Sequence, residues 1–174
     1  TVAVVTGRKG DRSVKAPELP QLAGYTAAWP AFTPTGRDMT ITAVYRQNLV
    51  SGGRVTKSGT YFVPWLASGE ITIAGGLDVT LIGLDSGTDR FDNLTLTVGS
   101  GTKLTLQDVR ITGDRTLLSL AGKNTLTLLG RNELIGCADA SGNACPTVVS
   151  GGDLTINGTG SLQLQALVNN AAFL

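Results

Sequence analysis

VTLIGLD (residues 79–85), KLTLQDVRIT (103–112), NTLTLLGRNELIG (124–136) and VVSGGDLTINGTGSLQLQ (148–165) contain one phrase in four copies. Each holds an apolar-threonine-apolar triplet: Val79-Thr80-Leu81, Leu104-Thr105-Leu106, Leu126-Thr127-Leu128 and Leu154-Thr155-Ile156. The triplets are 25, 22 and 28 residues apart, the length of one coil of a β-solenoid. Six residues before each stands another apolar side chain, Ile73, Val98, Leu120 or Val148, and glycine lies between the two. A glycine-bearing corner between alternating segments fits a strand that turns sharply and continues as a second strand.

Period-2 alternation sends the first and third residue of each triplet to one side and the threonine to the other. In a stack of such coils the apolar residues form an internal column. Thr80, Thr105 and Thr127 form an outer ladder. One coil cannot bury its own apolar face, so the four are expected to act together. A second corner recurs in LLGRNEL (128–134) and INGTGSL (156–162), which align Gly130 with Gly158. The expectation is an all-β parallel solenoid (β-helix) of about four coils over residues 69–174. The rival is an antiparallel β-sandwich, which also uses short strands and turns.

Residues 1–48 have a different rhythm, with four of the six prolines and two of the three tyrosines. VAVVTG (2–7) and MTITAVY (39–45) read as strands on either side of a Pro/Gly-rich middle that holds Tyr25 and Trp29. Packing of these aromatics in a small core is the simpler role, and ligand stacking the alternative. Residues 49–68 read as a linker followed by a cap, in which YFVPW (61–65) covers the open apolar end of the solenoid. The other reading of that cluster is a sugar-stacking platform centred on Trp65. ALVNNAAFL (166–174) reads as the start of a further coil rather than a short helix.

Composition narrows the function. The 174 residues include 23 glycines, 5% aromatics and no histidine, and the net charge is +1. Near-neutrality provides no footprint for nucleic acid or for an anionic membrane surface. The lack of histidine removes Ser/His/Asp and Cys/His nucleophilic systems and disfavours zinc. No apolar run is long enough to span a bilayer, and Thr1 is neither a methionine nor part of a signal-peptide basic region. The chain is therefore expected to be part of a longer, secreted precursor. Cys137 and Cys145 flank a Gly/Ser/Ala/Asn-rich stretch, where a local disulfide and two free thiols stand as equal alternatives.

Two resemblances add to this reading. GYTAAW followed by ITAVY, through Gly24, Tyr25, Trp29, Ala43, Val44 and Tyr45, resembles a β-grasp-like repeat of bacterial cell-wall proteins, including internalin-type B repeats. That likeness implies a spacer or adhesive stalk unit over residues 1–48. The four phrases quoted at the outset resemble the carbohydrate-binding β-helix proteins of clostridia and related bacteria, which are similar in fold to pectate lyases. This likeness implies binding of plant cell-wall polysaccharide, especially acidic polymers, with calcium in some members.

The candidate site residues follow. Lys103, Arg110 and Arg131 fall on neighbouring coils and are expected to line one face, where their cationic groups would meet uronate carboxylates. Trp65 is the candidate stacking residue. Asp85, Asp89 and Asp92 crowd one loop and are candidate calcium ligands, although aspartates are also common turn formers. Asp108, Asp114, Asp139 and Asp153 are dispersed over other turns, and no pair of carboxylates stands out for glycoside hydrolysis. The function expected is a non-catalytic, cell-surface or secreted polysaccharide-binding module. A structural or adhesive stalk is the alternative, and a calcium-dependent polysaccharide lyase a third reading.

Overall fold

The computed structural model describes residues 18–19, 22, 24–29, 43–49, 52–63, 69–83, 91–92, 94–137 and 146–167. The chain divides into two compact units, Thr1–Asn48 and Leu49–Leu174. In the first unit, β1 (Tyr25–Ala28) and β2 (Val44–Asn48) pair antiparallel, with Tyr25 opposite Gln47 and Ala28 opposite Val44. Ala43 is buried, Trp29 half-buried and Tyr25 exposed. The segment 2–7 lies outside the described residues.

The second unit is a parallel β-solenoid. Its first complete coil consists of β5 (Gly69–Ile73), β6 (Asp78–Ile82) and β7 (Phe91–Asp92). The second is β8 (Leu94–Val98), β9 (Lys103–Gln107) and β10 (Arg110–Gly113). The third is β11 (Leu118–Leu120), β12 (Asn124–Leu129) and β13 (Arg131–Cys137). The last is β14 (Val148–Ser150), β15 (Leu154–Gly158) and β16 (Ser161–Leu167). A partial coil, β3 (Arg54–Val55) and β4 (Gly59–Phe62), precedes them. The stretch read as linker and cap thus contributes strands of its own, and Leu49, Val55 and Val63 belong to the core.

Equivalent strands of successive coils build three sheets. Within this unit the first sheet runs β14-β11-β8-β5-β3, the second β4-β6-β9-β12-β15 and the third β16-β13-β10-β7. Neighbours in each are parallel, which removes the antiparallel sandwich. The alternation works as the sequence requires: Val79 and Leu81, Leu104 and Leu106, and Leu126 and Leu128 are buried inward. Ile71, Leu96 and Leu118 from the first sheet and Ile111 and Leu134 from the third meet them in one core.

Corners between the first and second sheets need glycine for close approach. A Cβ on Gly99 would strike the Gly75 backbone in the coil next to it, where no flexible side chain is available to yield. Buried asparagines hold the corners of the third coil. Asn124 Oδ1 accepts from the Thr102 N–H at 3.0 Å while its Nδ2 donates to Ala121 O at 2.8 Å. Asn132 Oδ1 accepts from the Val109 N–H at 3.0 Å, and its Nδ2 donates to Leu129 O at 3.0 Å and Ser161 O at 3.1 Å. Each amide satisfies backbone groups that the corner takes out of the sheet ladder.

The register of the last coil differs from the triplet alignment. Val79, Leu104 and Leu126 are in register, but Leu126 pairs with Ile156, and Leu154 pairs with Asn124. The same displacement brings Val148 beside Leu118 and Leu162 beside Asn132, so the separation is 30 residues, as between Thr127 and Asn157, rather than 28. A slip of two keeps every side chain on its own face, so alternation alone cannot detect it. In the observed register, leucines 154 and 162 stand where the third coil has asparagines.

Candidate functional site

The outer face of the second sheet carries the most regular surface of the solenoid. Thr60 pairs in register with Thr80, Thr80 with Thr105, Thr105 with Thr127 and Thr127 with Asn157. Parallel strands lie about 4.8 Å apart, so this rank repeats hydroxyl groups at that interval, each with one donor and two acceptor lone pairs. Thr127 Oγ1 donates to Asn157 Oδ1 at 2.7 Å and so fixes the last two members of the rank.

Two further ranks flank the threonines. On one side stand Asp78, Lys103, Thr125 and Thr155, and on the other Phe62, Ile82, Gln107 and Leu129. Residues two apart on a strand are separated by about 6.6 Å, so the three ranks make a strip about 13 Å wide. A hydroxyl-rich centre with one largely apolar margin, and on the other the exposed charges Asp78 and Lys103, suits a polymer that offers hydroxyl edges and C–H faces.

The three basic residues expected on one face do not come together there. Lys103 is on the second sheet, whereas Arg110 and Arg131 belong to the third, across a corner. Arg110 sits beside Glu133 in register, and both are buried although they alternate with inward Ile111 and Leu134. Arg110 Nε has no hydrogen-bond partner. Arg131 is exposed, and its Nη2 lies 2.6 Å from Glu133 Oε1 while its backbone N–H donates to Asp108 Oδ1 at 2.9 Å. The Asp108 carboxylate occupies the space that a side chain on Gly130 would need, so this aspartate is a corner residue. Its own backbone is left-handed, with φ of 55°.

Trp65, Asp85 and Asp89 lie outside the described residues, as does Cys145. Asp92 is placed by its backbone in β7, next to Thr112 of β10. Among the described residues, no group of three or more His, Cys, Asp or Glu side chains is arranged to hold a metal ion. No described helix is long and apolar enough to cross a membrane.

Thr60 and Asn157 belong to the strip without having been singled out in the sequence, whereas Phe62 joins it from the YFVPW cluster. Thr60 escaped because Gly59 stands where later coils have Val79 and Leu104, which breaks the triplet. Asn157 escaped because it falls opposite Thr127 only in the shifted register. Compared with known proteins, the chain matches no family model, no curated sequence and no solved structure.

Proposed function

We propose that the chain is a non-catalytic module, displayed at a bacterial surface or secreted, that binds polysaccharide along the outer face of the second sheet. The observation that carries this reading is the rank Thr60, Thr80, Thr105, Thr127 and Asn157, continuous over five strands and bordered by Lys103 and by apolar side chains. A repeating array of hydroxyls contacts a periodic ligand many times, and modest single contacts then add up along the polymer. The likeness to carbohydrate-binding β-helix proteins points to the same ligand class and to acidic glycans, for which Lys103 is the exposed cation on this strip, beside the exposed anion Asp78. Arg131, paired with Glu133, and the buried Arg110 lie apart from the strip on the third sheet.

The test is retention of the chain on a panel of neutral and acidic polysaccharides, with and without calcium. Replacing Thr80, Thr105 and Thr127 together by valine keeps their shape and removes their hydroxyls. Binding is expected to weaken at least tenfold, about 1.4 kcal/mol. A calcium requirement would implicate Asp85, Asp89 and Asp92. If no glycan is retained, or the triple valine variant binds unchanged, the strip is not the site, and the stalk reading takes precedence.

A further inference from the structure

A second hydroxyl-bearing surface lies on the outer face of the first sheet. Thr72 pairs in register with Thr97 and Thr97 with Ser119, while Arg54 and Val149 stand at the two ends of the rank. The three hydroxyl residues are half-buried, as are Thr80, Thr105 and Thr127, so the two faces are comparably open. Inward side chains of both sheets meet in one core, and the outer faces therefore look away from it on separate sides of the glycine corner. Hydrogen bonds already made on this face set its polarity. Thr97 Oγ1 donates to Glu70 Oε1 at 2.8 Å, and Thr95 Oγ1 donates to Thr116 O at 3.2 Å. A carboxylate and a peptide carbonyl can only accept, so both threonines spend their O–H within the chain and keep lone pairs for a ligand. Glu70, in register with Thr95, is exposed and adds further acceptor capacity. Arg54, beside Thr72, is the cation of this face among its described residues.

We propose that this face is a second glycan site, selective for neutral polysaccharide, with Glu70 as the residue that sets the selectivity. Neutral sugars present many O–H donors, which match the clustered acceptors of Glu70, Thr95 and Thr97, and the bond to Glu70 is charge-assisted. An acidic polymer puts carboxylates, which only accept, in place of some of those donors, and Glu70 repels them. Lys103 inclines the second-sheet strip the other way, although Asp78 stands beside it. The inference rests on the polysaccharide reading and adds a surface to it. One chain then holds two polymers of different charge and links them, which is a bivalent function.

The experiment is affinity electrophoresis of the full chain and its variants through gels that contain a soluble neutral glucan, mannan or xylan, or a polyuronate. The double change Thr72→Val with Thr97→Val, and separately Glu70→Lys, are expected to weaken binding of the neutral polymer about tenfold or more, the scale of a lost hydrogen bond to a charged group. Both should leave the polyuronate bound. The triple valine variant of the outer strip should do the reverse. Neutral retention indifferent to both first-sheet changes overturns this proposal and leaves the strip as the site. A chain that holds the polyuronate and no neutral polymer overturns it as well. So does equal weakening of both polymers by either set of changes, since one surface would then serve for both. Retention of neither class removes the polysaccharide reading itself, and this proposal with it. Should the double valine variant fail to fold, Glu70→Lys decides alone, because Glu70 is exposed and its replacement opens no cavity.

Discussion

The third and last coils are built to one pattern and end in different states. Both alternate apolar and polar residues along three strands, and both turn at small or glycine-containing corners. Yet Leu126 is sealed from solvent, while Ile156, its neighbour one strand away, is 55% exposed. Burial in this fold is thus a property of stacking: a side chain is enclosed when a coil lies on each side of it. Hydrophobic stabilisation follows apolar area removed from water, so identical chemistry contributes unequally along the stack.

Truncation at paired positions measures that inequality. Leu126→Ala opens a cavity between two coils and is expected to cost about 2–5 kcal/mol. Ile156→Ala removes a side chain that is already more than half in water and is expected to cost less than about 1 kcal/mol in the monomer. Urea denaturation of the two variants at a concentration below any self-association checks both values. Equal losses would mean that the last coil is covered in solution, and would break the contrast between the coils.

A second contrast separates them at the corners. Asn132 links three coils, taking the Val109 N–H from one side and giving its own N–H groups to Leu129 O and, on the other side, Ser161 O. Leu162 is its register partner in the last coil and makes no such bridge. Asn132→Leu therefore copies a residue that the fold accepts one coil later, but strands the buried Val109 N–H. The expected loss is about 1–3 kcal/mol, together with faster amide exchange at Val109.

These corners also explain how far the fold could be read from sequence. The triplets at residues 79, 104 and 126 predicted the true register, and the apolar residues six positions before them, Ile73, Val98 and Leu120, are in register as well. At residue 154 the same triplet misleads by two positions, since period-2 alternation is blind to an even slip. Asn124 and Asn132 do not mark the alignment either, since Leu154 and Leu162 take their places in the last coil, and an inward asparagine is recognisable as a corner residue only once its backbone partners are known. The partial coil β3–β4 was hidden for a related reason: it has Gly59 at the place of an inward valine or leucine. Of the site, the rank of Thr80, Thr105 and Thr127 was legible, because outward threonines follow directly from alternation. The separation of Lys103 from Arg110 and Arg131 was not. Position within a coil does not reveal which of three sheets a residue joins until the corners are located.

The smallest effect on stability is expected where the effect on binding should be large. Thr105 faces outward between Thr80 and Thr127, and valine keeps both its shape and its preference for an extended backbone. Thr105→Val should therefore change stability by no more than about 0.5 kcal/mol. Thr127→Val, which also breaks the bond to Asn157, should cost slightly more, about 0.5–1.5 kcal/mol. An inward leucine and an outward threonine one residue apart would then differ severalfold in their contribution to folding. Such a result, a threonine rank over four strands that adds little stability, would favour the proposed binding face. If Thr105→Val instead destabilised the chain as strongly as Leu126→Ala, the rank would be part of the scaffold, and its regularity would cease to support a binding surface.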